Sequence, residues 1–137
     1  MKTKPPGTEY PDFQDNAAMA QRVEEGLPVA DVVQFGKRAG FTQEELARLI
    51  HIPPRTYARR VASKARLKVA EGERAVRLMR LFSRARQIFG SDETTRRWFN
   101  ARLLALGRKT PLEFAQTEPG AREVENILGR LEDGVFS

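Results

Sequence analysis

The sequence has no cysteine and a single histidine, His51. Without cysteine there is no disulfide framework, and one histidine alone cannot build a zinc site or a catalytic Cys–His pair. The segment LGRKTP (106–111) has one glycine before its lysine, so it lacks the G-x-x-x-x-G-K spacing of a phosphate-binding loop. These absences argue against an enzyme, and we expect neither a metal ion nor a cofactor.

Long apolar runs are also missing. No stretch approaches the roughly 18 residues of a membrane span, and the opening MKTKPPGTEYPDF lacks the apolar centre of a signal peptide. We therefore expect no membrane partner and a cytoplasmic location. No segment shows a convincing strand alternation, whereas several show apolar residues at helical spacing. With 137 residues, 40% hydrophobic and 31% charged, the chain is predicted to be an all-α globular protein of one domain or two small ones.

Charge is distributed unevenly along the chain, whose formal net charge is +6. Residues 1–26 contain three basic and five acidic residues, and residues 111–137 contain two basic and six acidic ones. Between them, residues 46–70 contain seven basic residues and no acidic one. A basic middle with acidic ends indicates a phosphate-facing module joined to a region that faces another partner.

The segment from Thr42 to Val61, TQEELARLIHIPPRTYARRV, has the pattern of two short helices joined by a sharp turn. Thr42 and Glu45 form a T-x-x-E capping box, and Pro53-Pro54 suit the first turn of the second helix. His51 stands where such turns usually take glycine, and histidine tolerates a positive φ better than most residues. This pattern predicts a helix-turn-helix in which His51 is a strained turn residue and not a catalyst. The alternative is a basic amphipathic hairpin inside some other all-α domain.

A helix-turn-helix reads DNA with the N-terminal residues of its second helix, and here these residues are rich in hydrogen-bond donors. Arg55 is the best candidate for a bidentate contact with guanine. Gln43, at the start of the first helix, is expected to hydrogen-bond a phosphate, whereas Lys64 and Lys68 are expected to act on affinity and salt dependence only. The predicted DNA-binding residues are Gln43, Arg55, Thr56, Tyr57, Arg59, Arg60 and Lys64.

Apolar spacing and capping residues predict further helices on both sides of this segment. They are expected over 17–25, from Pro28 to Gly40, over 73–89, over 92–100, over 111–116 and over 118–131, with glycines at 26, 90 and 134 as stops. Residues 64–72 are predicted to form a basic connector. Arg77, Arg80 and Arg84 form a basic stripe, which we interpret as either solvated surface or phosphate contacts.

The second half of the chain carries motifs of a known family. The runs LGRKTPLE (106–113), TEPGAR (117–122) and GVF (134–136) resemble the toxin-binding domain of Xre/MbcA/ParS-type antitoxins. The runs IPPRT (52–56) and EGER (71–74) are similar to the Xre-like helix-turn-helix of that family, although the family usually has glycine where His51 stands. The resemblance covers about residues 27–137 and implies a helix-turn-helix domain over 27–78 and a toxin-binding domain over 79–137. Residues 1–26 begin with three prolines and scattered polar residues, and this composition predicts a flexible arm with a possible short helix.

A member of this family is expected to be the antitoxin of a type II toxin–antitoxin system. The resemblance implies that it inhibits a RES-domain toxin, a class that resembles ADP-ribosyltransferases in fold and consumes or uses NAD. It also implies repression of its own operon through operator DNA. The alternative function is a plain helix-turn-helix transcriptional regulator whose C-terminal helices dimerise or sense a ligand.

The last helix and the residues after it are predicted to carry toxin inhibition. Val124, Ile127, Leu128 and Leu131 have the spacing of a core-facing stripe. Gly129 is expected to admit a close surface, either that of the toxin or that of a helix of this chain. The apolar pair Val135-Phe136 is expected to fill a pocket on the toxin, unless it folds back onto this protein's own core. The predicted toxin-binding residues are Arg122, Glu125, Asn126, Gly129, Arg130, Glu132, Asp133, Gly134, Val135, Phe136 and Ser137.

The apolar content of the second half also suggests self-association. The stripe over 75–89, with Trp98, Phe99 and the stripe over 124–131, exceeds what we expect a chain of this size to bury alone. We therefore predict a two-fold symmetric homodimer on a palindromic operator. The expected partners are thus a RES-domain toxin, operator DNA and a second copy of the chain.

Overall fold

The computed structural model describes residues 15–136, with side chains up to residue 134. Within this range the chain forms eight α-helices and one 3-10 helix, and it contains no β-strand. The elements are α1 (Asn16–Glu25), α2 (Val29–Ala39), α3 (Gln43–Leu49), α4 (Pro54–Ser63), α5 (Val69–Phe89), α6 (Asp92–Phe99), a 3-10 turn (Leu104–Leu106), α7 (Pro111–Phe114) and α8 (Glu118–Phe136). The predicted all-α fold is confirmed.

Local sequence rules account for most helix ends. The Thr42 hydroxyl accepts a hydrogen bond from the Glu45 N–H at 3.1 Å, and the Glu45 carboxylate accepts one from the Thr42 N–H at 3.0 Å. The predicted capping box of α3 is therefore present. Gly40 and Gly90 follow α2 and α5 with φ values of 79° and 85°, a left-handed conformation that glycine adopts without a steric penalty.

Helix α5 is the central element and contacts α1, α2, α6 and α8. The ring of Phe82 packs edge-on against Phe35, with 5.4 Å between centroids, and stacks on Phe99 at 5.5 Å. Phe35 belongs to the first half of the chain and Phe99 to the second, so one continuous core joins the two halves. The predicted domain boundary between residues 78 and 79 falls inside α5 and not in a linker; its position stays a prediction.

Helix α1 docks on α5 through Met19 and Val23, both of which are buried. The two helices are closely apposed at Gly72, where an added Cβ atom would lie 3.6 Å from a methyl group of Val23, an ordinary contact distance. The arm predicted over 1–26 therefore carries a helix that packs against the core. Residues 1–14 of that arm lie outside the described range.

Two helix boundaries differ from the predictions by more than two residues. Helix α5 begins at Val69 and not at Glu73, because the Glu71 carboxylate accepts a hydrogen bond from the Lys68 N–H at 2.8 Å and so caps its first turn. Helix α8 passes through Gly134, the predicted stop, and continues to Phe136. An interior glycine costs only about 1 kcal/mol relative to alanine, so one glycine does not end a helix of this length.

The apolar residues of the second half are mostly buried within the chain. The α5 stripe other than Phe89, together with Phe99 and three of the four stripe residues of α8, belongs to the single core, and Phe89 and Trp98 are partly buried against it. Among described residues, the large hydrophobic side chains that are exposed are Val69, Leu104 and Leu131. The premise that the chain cannot bury its apolar surface alone is wrong, and the homodimer stays a prediction without that support. None of the helices between residues 15 and 136 has the length and apolar character needed to cross a bilayer.

Candidate functional site

The turn between α3 and α4 has the geometry of a helix-turn-helix. His51 adopts φ 58°, in the left-handed region, which confirms its prediction as a strained turn residue. The Ile52 N–H donates to the Ala47 carbonyl at 2.8 Å and so ends the first helix. Outside the turn, His51 Nε2 lies 3.3 Å from Gln116 Oε1, after α7, so the turn also touches the second half of the chain.

Helix α4 turns one face towards the core, and Tyr57 lies on it. Its side chain is 1% exposed, and burial raises the pKa of Tyr57 to about 12. The hydroxyl has no hydrogen-bond partner among the described residues. The prediction that Tyr57 contacts DNA is wrong, because the ring fills the interior of the helix-turn-helix.

Arg60 also lies on the inner side of α4, one turn after Tyr57. Its guanidinium forms an ion pair with the Glu71 carboxylate, and the two side chains are 17% and 12% exposed. Burial acts to raise the pKa of Glu71, but hydrogen bonds from the Lys68 N–H and from Arg60, with the charges of both residues, hold it below its ordinary value. The prediction that Arg60 binds DNA is therefore corrected, since DNA could reach this group only by breaking a largely buried pair.

The opposite face of α4 remains available to a ligand. Arg55 and Arg59 are one helical turn apart and exposed, and neither has an ion-pair partner among residues 15–134. Thr56 lies between them and is half-buried. Lys64, the exposed C-cap of α4, adopts φ 55°. With Gln43 exposed at the first position of α3, these five side chains are the predicted DNA-binding residues that the structure leaves accessible.

The arginine stripe of α5 faces α8. Arg77 Nε lies 3.3 Å from Glu118 Oε2, and Arg80 Nε lies 3.5 Å from Glu125 Oε1. The next arginine, Arg84, lies over Gly129, where a Cβ atom would come within 3.3 Å of its guanidinium. Both interpretations of this stripe, solvated surface or phosphate contacts, are thus replaced by a third, a seam between two helices of the chain.

This seam changes the predictions for α8. Glu125, predicted to face the toxin, is half-buried and directed at Arg80. Gly129 lies beneath the Arg84 guanidinium, a flexible group that could shift to admit a Cβ atom, so this contact does not require glycine and a close approach of the toxin to Gly129 stays a prediction. Leu131, predicted to face the core, is 37% exposed, because the helix turns its last apolar residue away from α5.

The outer face of α8 is polar and exposed. It carries Arg122, Asn126, Arg130 and Asp133, with Glu132 half-buried beside them and the exposed Gly134 after them. Arg122 Nε donates to Glu118 one turn earlier at 3.2 Å. The side chains of Val135 and Phe136, and all of Ser137, lie outside the described residues. Among described residues, no group of three or more His, Cys, Asp or Glu side chains is placed to hold a metal ion.

Comparison with known proteins assigns both halves. Residues 18–80 match the antitoxin Xre-like helix-turn-helix domain, and residues 84–134 match the antitoxin Xre/MbcA/ParS C-terminal toxin-binding domain. Over 114 residues the chain is 32% identical to antitoxin Xre of Photorhabdus laumondii, a match that covers 82% of this chain and 77% of that protein. The chain belongs to the Xre antitoxin family.

Two further Xre antitoxins support the assignment. The chain is 36% identical over 100 residues to that of Yersinia enterocolitica, which covers 72% of this chain and 68% of that protein. It is 24% identical over 126 residues to antitoxin Xre of Pseudomonas putida, a match that covers 92% of this chain and 78% of that protein. The architecture of a helix-turn-helix followed by a toxin-binding domain is confirmed, and the alternative of a basic hairpin in an unrelated all-α domain is set aside.

Proposed function

We propose that this Xre-family antitoxin neutralises a RES-domain toxin by direct binding and represses its own operon by binding operator DNA. The match of residues 84–134 to a toxin-binding domain supports a toxin as partner. The RES class rests on the resemblance of the motifs LGRKTPLE (106–113) and TEPGAR (117–122). The observation that carries the DNA-binding part is the division of α4, whose inner face is occupied while Arg55 and Arg59 remain exposed.

In the proposed DNA complex, α4 enters the major groove with Arg55, Thr56 and Arg59 towards the base edges. A bidentate arginine–guanine contact is the commonest specific contact of this kind. Gln43 and Lys64, at the two ends of the motif, contact phosphates. Phosphate contacts fix the register of a protein on DNA, and base contacts give sequence specificity. In this proposal Gln43 and Lys64 therefore position the protein, and Arg55, Thr56 and Arg59 recognise the operator sequence.

In the proposed toxin complex, the outer face and end of α8 bind the toxin. The candidate contacts are Arg122, Asn126, Arg130, Glu132, Asp133, Gly134, Val135, Phe136 and Ser137. An aromatic anchor in a partner's pocket carries a large share of binding energy, which makes Phe136 the first residue to test. The carboxylates of Glu132 and Asp133 suit cationic groups that an NAD-using toxin keeps for the cofactor pyrophosphate.

Co-expression with the product of the neighbouring gene tests toxin neutralisation. We expect the two proteins to co-purify and growth to be rescued. Deletion of residues 133–137, or Phe136→Ala, is expected to lose inhibition while thermal stability stays close to wild type. Unchanged inhibition after deletion would overturn the role of this segment, and failure to co-purify or to rescue growth would overturn the toxin assignment itself.

A promoter reporter tests repression. We expect wild-type protein to lower expression from the promoter of its own operon and Arg55→Ala with Arg59→Ala to restore it, because both base-reading guanidinium groups are gone. Arg77→Ala with Arg80→Ala removes two arginines of the α5–α8 seam and is the matched control for loss of charge. Restoration by both pairs alike would contradict base recognition by α4.

We further propose that the chain acts in the cytoplasm as a homodimer on a palindromic operator. Helix-turn-helix proteins commonly bind two half-sites one helical turn apart, which mirrors a two-fold axis. Light scattering at micromolar concentration is expected to give twice the chain mass. A monomer that retains operator binding would contradict this part of the proposal alone.

A further inference from the structure

Arg96, on helix α6 of the toxin-binding half, lies against the helix-turn-helix. A Cβ atom placed on Gly40 would lie 1.8 Å from Arg96 Nη1 and 2.9 Å from its Cζ. The guanidinium therefore lies against Gly40, an exposed residue at the end of α2, and a larger residue there would displace it. Gly40 itself is needed for φ 79°, so the same glycine both ends α2 and seats a side chain from the other half of the chain.

Gly40 stands at the edge of the proposed DNA-binding surface. It precedes Thr42, the N-cap of α3, by two residues and Gln43 by three. Three residues of chain span at most about 10 Å, so Gly40, the residue that Arg96 contacts, lies within that distance of the Gln43 backbone. In helix-turn-helix complexes the first helix of the motif crosses the DNA backbone. Arg96 is thus beside the part of the motif that approaches phosphates.

The Arg96 guanidinium has no counter-ion within the described chain. Among residues 15–134 no carboxylate pairs with it, whereas its neighbour Arg97 is paired with Glu93 at 3.2 Å. The two acids in the first turn of α3 have other partners, since Glu44 pairs with Arg48 and the Glu45 carboxylate caps α3. Arg96 is also half-buried, so it has lost part of its hydration without gaining an anion.

A structural role alone leaves the hydrogen-bonding groups of Arg96 unused. Its charge near the C-terminal end of α2 is favourable for the helix dipole. That attraction needs no hydrogen bond, and within the described residues none runs from the guanidinium. Guanidinium groups match phosphate oxygens with two parallel hydrogen bonds. A ligand phosphate would supply both the missing charge and the missing acceptors.

We propose that Arg96 binds a phosphate of the DNA backbone next to the Gln43 contact, so that the toxin-binding half contributes to DNA affinity. This inference rests on the proposed DNA binding, but it concerns a sequence-independent contact. It predicts that the phosphate footprint extends beyond the helix-turn-helix onto α6.

The test is DNA binding by full-length protein over a salt range of about 50–200 mM. The probes are a duplex with the operon's own promoter and a scrambled duplex of equal length. Arg96→Gln is expected to weaken both complexes by the same factor, about three- to tenfold, and to lower the salt slope by about one, the value for one lost phosphate contact. Arg96→Met keeps the packing over Gly40 without the charge, and we expect the same result from whichever variant melts near wild type. Arg96→Lys is expected to keep the salt slope.

The matched control is Arg97→Gln, which removes an equal charge from the next residue of α6. Because Arg97 is exposed and paired with Glu93, we expect its salt slope to equal that of wild type. An unchanged slope for Arg96→Gln and Arg96→Met, or an equal fall for Arg97→Gln, would overturn the inference. If wild type binds the promoter no better than the scrambled duplex, operator recognition fails, and the slope on the scrambled duplex still decides the role of Arg96.

Discussion

Helices α4 and α5 are both rich in arginine, but the structure gives their arginines different tasks. On α4, Arg55 and Arg59 face outward and have no carboxylate partner in the described part of the chain. On α5, Arg77 and Arg80 face Glu118 and Glu125 of α8. The difference is set by the neighbouring element and not by the helix itself. A basic helix becomes a candidate nucleic-acid surface only where no other part of the protein supplies the anions.

The ion pair between Arg80 of α5 and Glu125 of α8 contributes little to the stability of the fold. Arg80 and Glu125 are each about 30% exposed, and Arg80 Nε makes no hydrogen bond among described residues although Glu125 Oε1 lies 3.5 Å away. The attraction is therefore coulombic and partly screened, a class of pair worth about 0–1 kcal/mol. Apolar packing of Val124 and Leu128, both fully buried, holds α8 in place. The buried residues thus determine which face of α8 points outward, and the pairs add to that orientation.

The largest expected effect comes from breaking the inner pair of α4. Glu71→Ala leaves the Arg60 guanidinium largely buried without a counter-ion and removes the cap of α5. Loss of one partner of a buried pair costs about 3 kcal/mol, which should appear in urea unfolding at pH 7. We expect Arg55→Ala, which changes the same helix on its outer face, to alter stability by less than about 0.5 kcal/mol.

The same pair should make stability depend on acid. The pKa of Glu71 in the folded protein is lower than its ordinary value of 4.5. The contribution of the ionised Glu71 to folding stability is therefore fully present above pH 4.5 and is lost as the pH falls through the lower pKa of the folded protein. The stability difference between wild type and Glu71→Gln should shrink across this window. A difference that is constant from pH 7 to pH 3 would show that the charge of Glu71 does not stabilise the fold.

The next prediction compares the effects on DNA binding of removing an arginine from the outer face of α4 and one from α5. Arg55→Ala should weaken operator binding by about 1–3 kcal/mol and relax the preference at one base pair, because a bidentate base contact is lost. Arg77→Ala removes the same charge from the seam and should leave the affinity unchanged. A titration at physiological salt with a set of single-base operator variants measures both effects. Equal binding by wild type and Arg55→Ala would remove Arg55 from the recognition surface.

The sequence was sufficient to predict the features that depend on nearby residues. The capping box at Thr42, the left-handed His51 and the stop at Gly90 each follow from the chemistry of a few adjacent positions, and all are confirmed. The family motifs around residues 106–113 likewise predict the C-terminal toxin-binding domain, which the family match confirms. Such signals are local, so a single sequence contains them in full.

The errors concern contacts between elements distant in the sequence. Residue type alone favours Tyr57 and Arg60 as DNA contacts, but the direction of each side chain depends on where α4 packs. The sequence does contain one indication of the α5–α8 seam. Glu118 and Glu125 are seven residues apart and therefore lie on one face of their helix, and Arg77, Arg80 and Arg84 lie on one face of theirs. That signal is meaningful only once the two helices are known to be neighbours, which no local pattern reveals.

A double-mutant cycle on Arg80 and Glu125 tests the seam directly. We expect a coupling energy of about 0.5–1 kcal/mol, because the pair is partly exposed and lacks a hydrogen bond. The same cycle on Glu93 and Arg97 is the control for an i,i+4 pair on a solvated face, where about 0.3 kcal/mol is expected. Urea unfolding of the single and double variants supplies the values. A coupling energy of zero for Arg80 and Glu125 would contradict an energetic interaction across the seam and would favour the interpretation of the stripe as solvated surface.

The smallest effect at neutral pH is expected for Tyr57→Phe, the conservative change on the inner face of α4. The hydroxyl is buried without a partner among described residues, so its removal should leave stability within about 1 kcal/mol of wild type or raise it slightly.

At alkaline pH the stabilities of wild type and Tyr57→Phe should differ. The pKa of Tyr57 is about 12 in the folded protein against an ordinary value of 10.0, so its contribution is full below pH 10 and is lost as the pH rises towards 12. The phenylalanine variant lacks this loss, and its urea midpoint should fall less between pH 9 and pH 11. Operator affinity should be unchanged at pH 7; weaker binding at equal stability would mean that the Tyr57 hydroxyl reaches DNA and that α4 presents both of its faces.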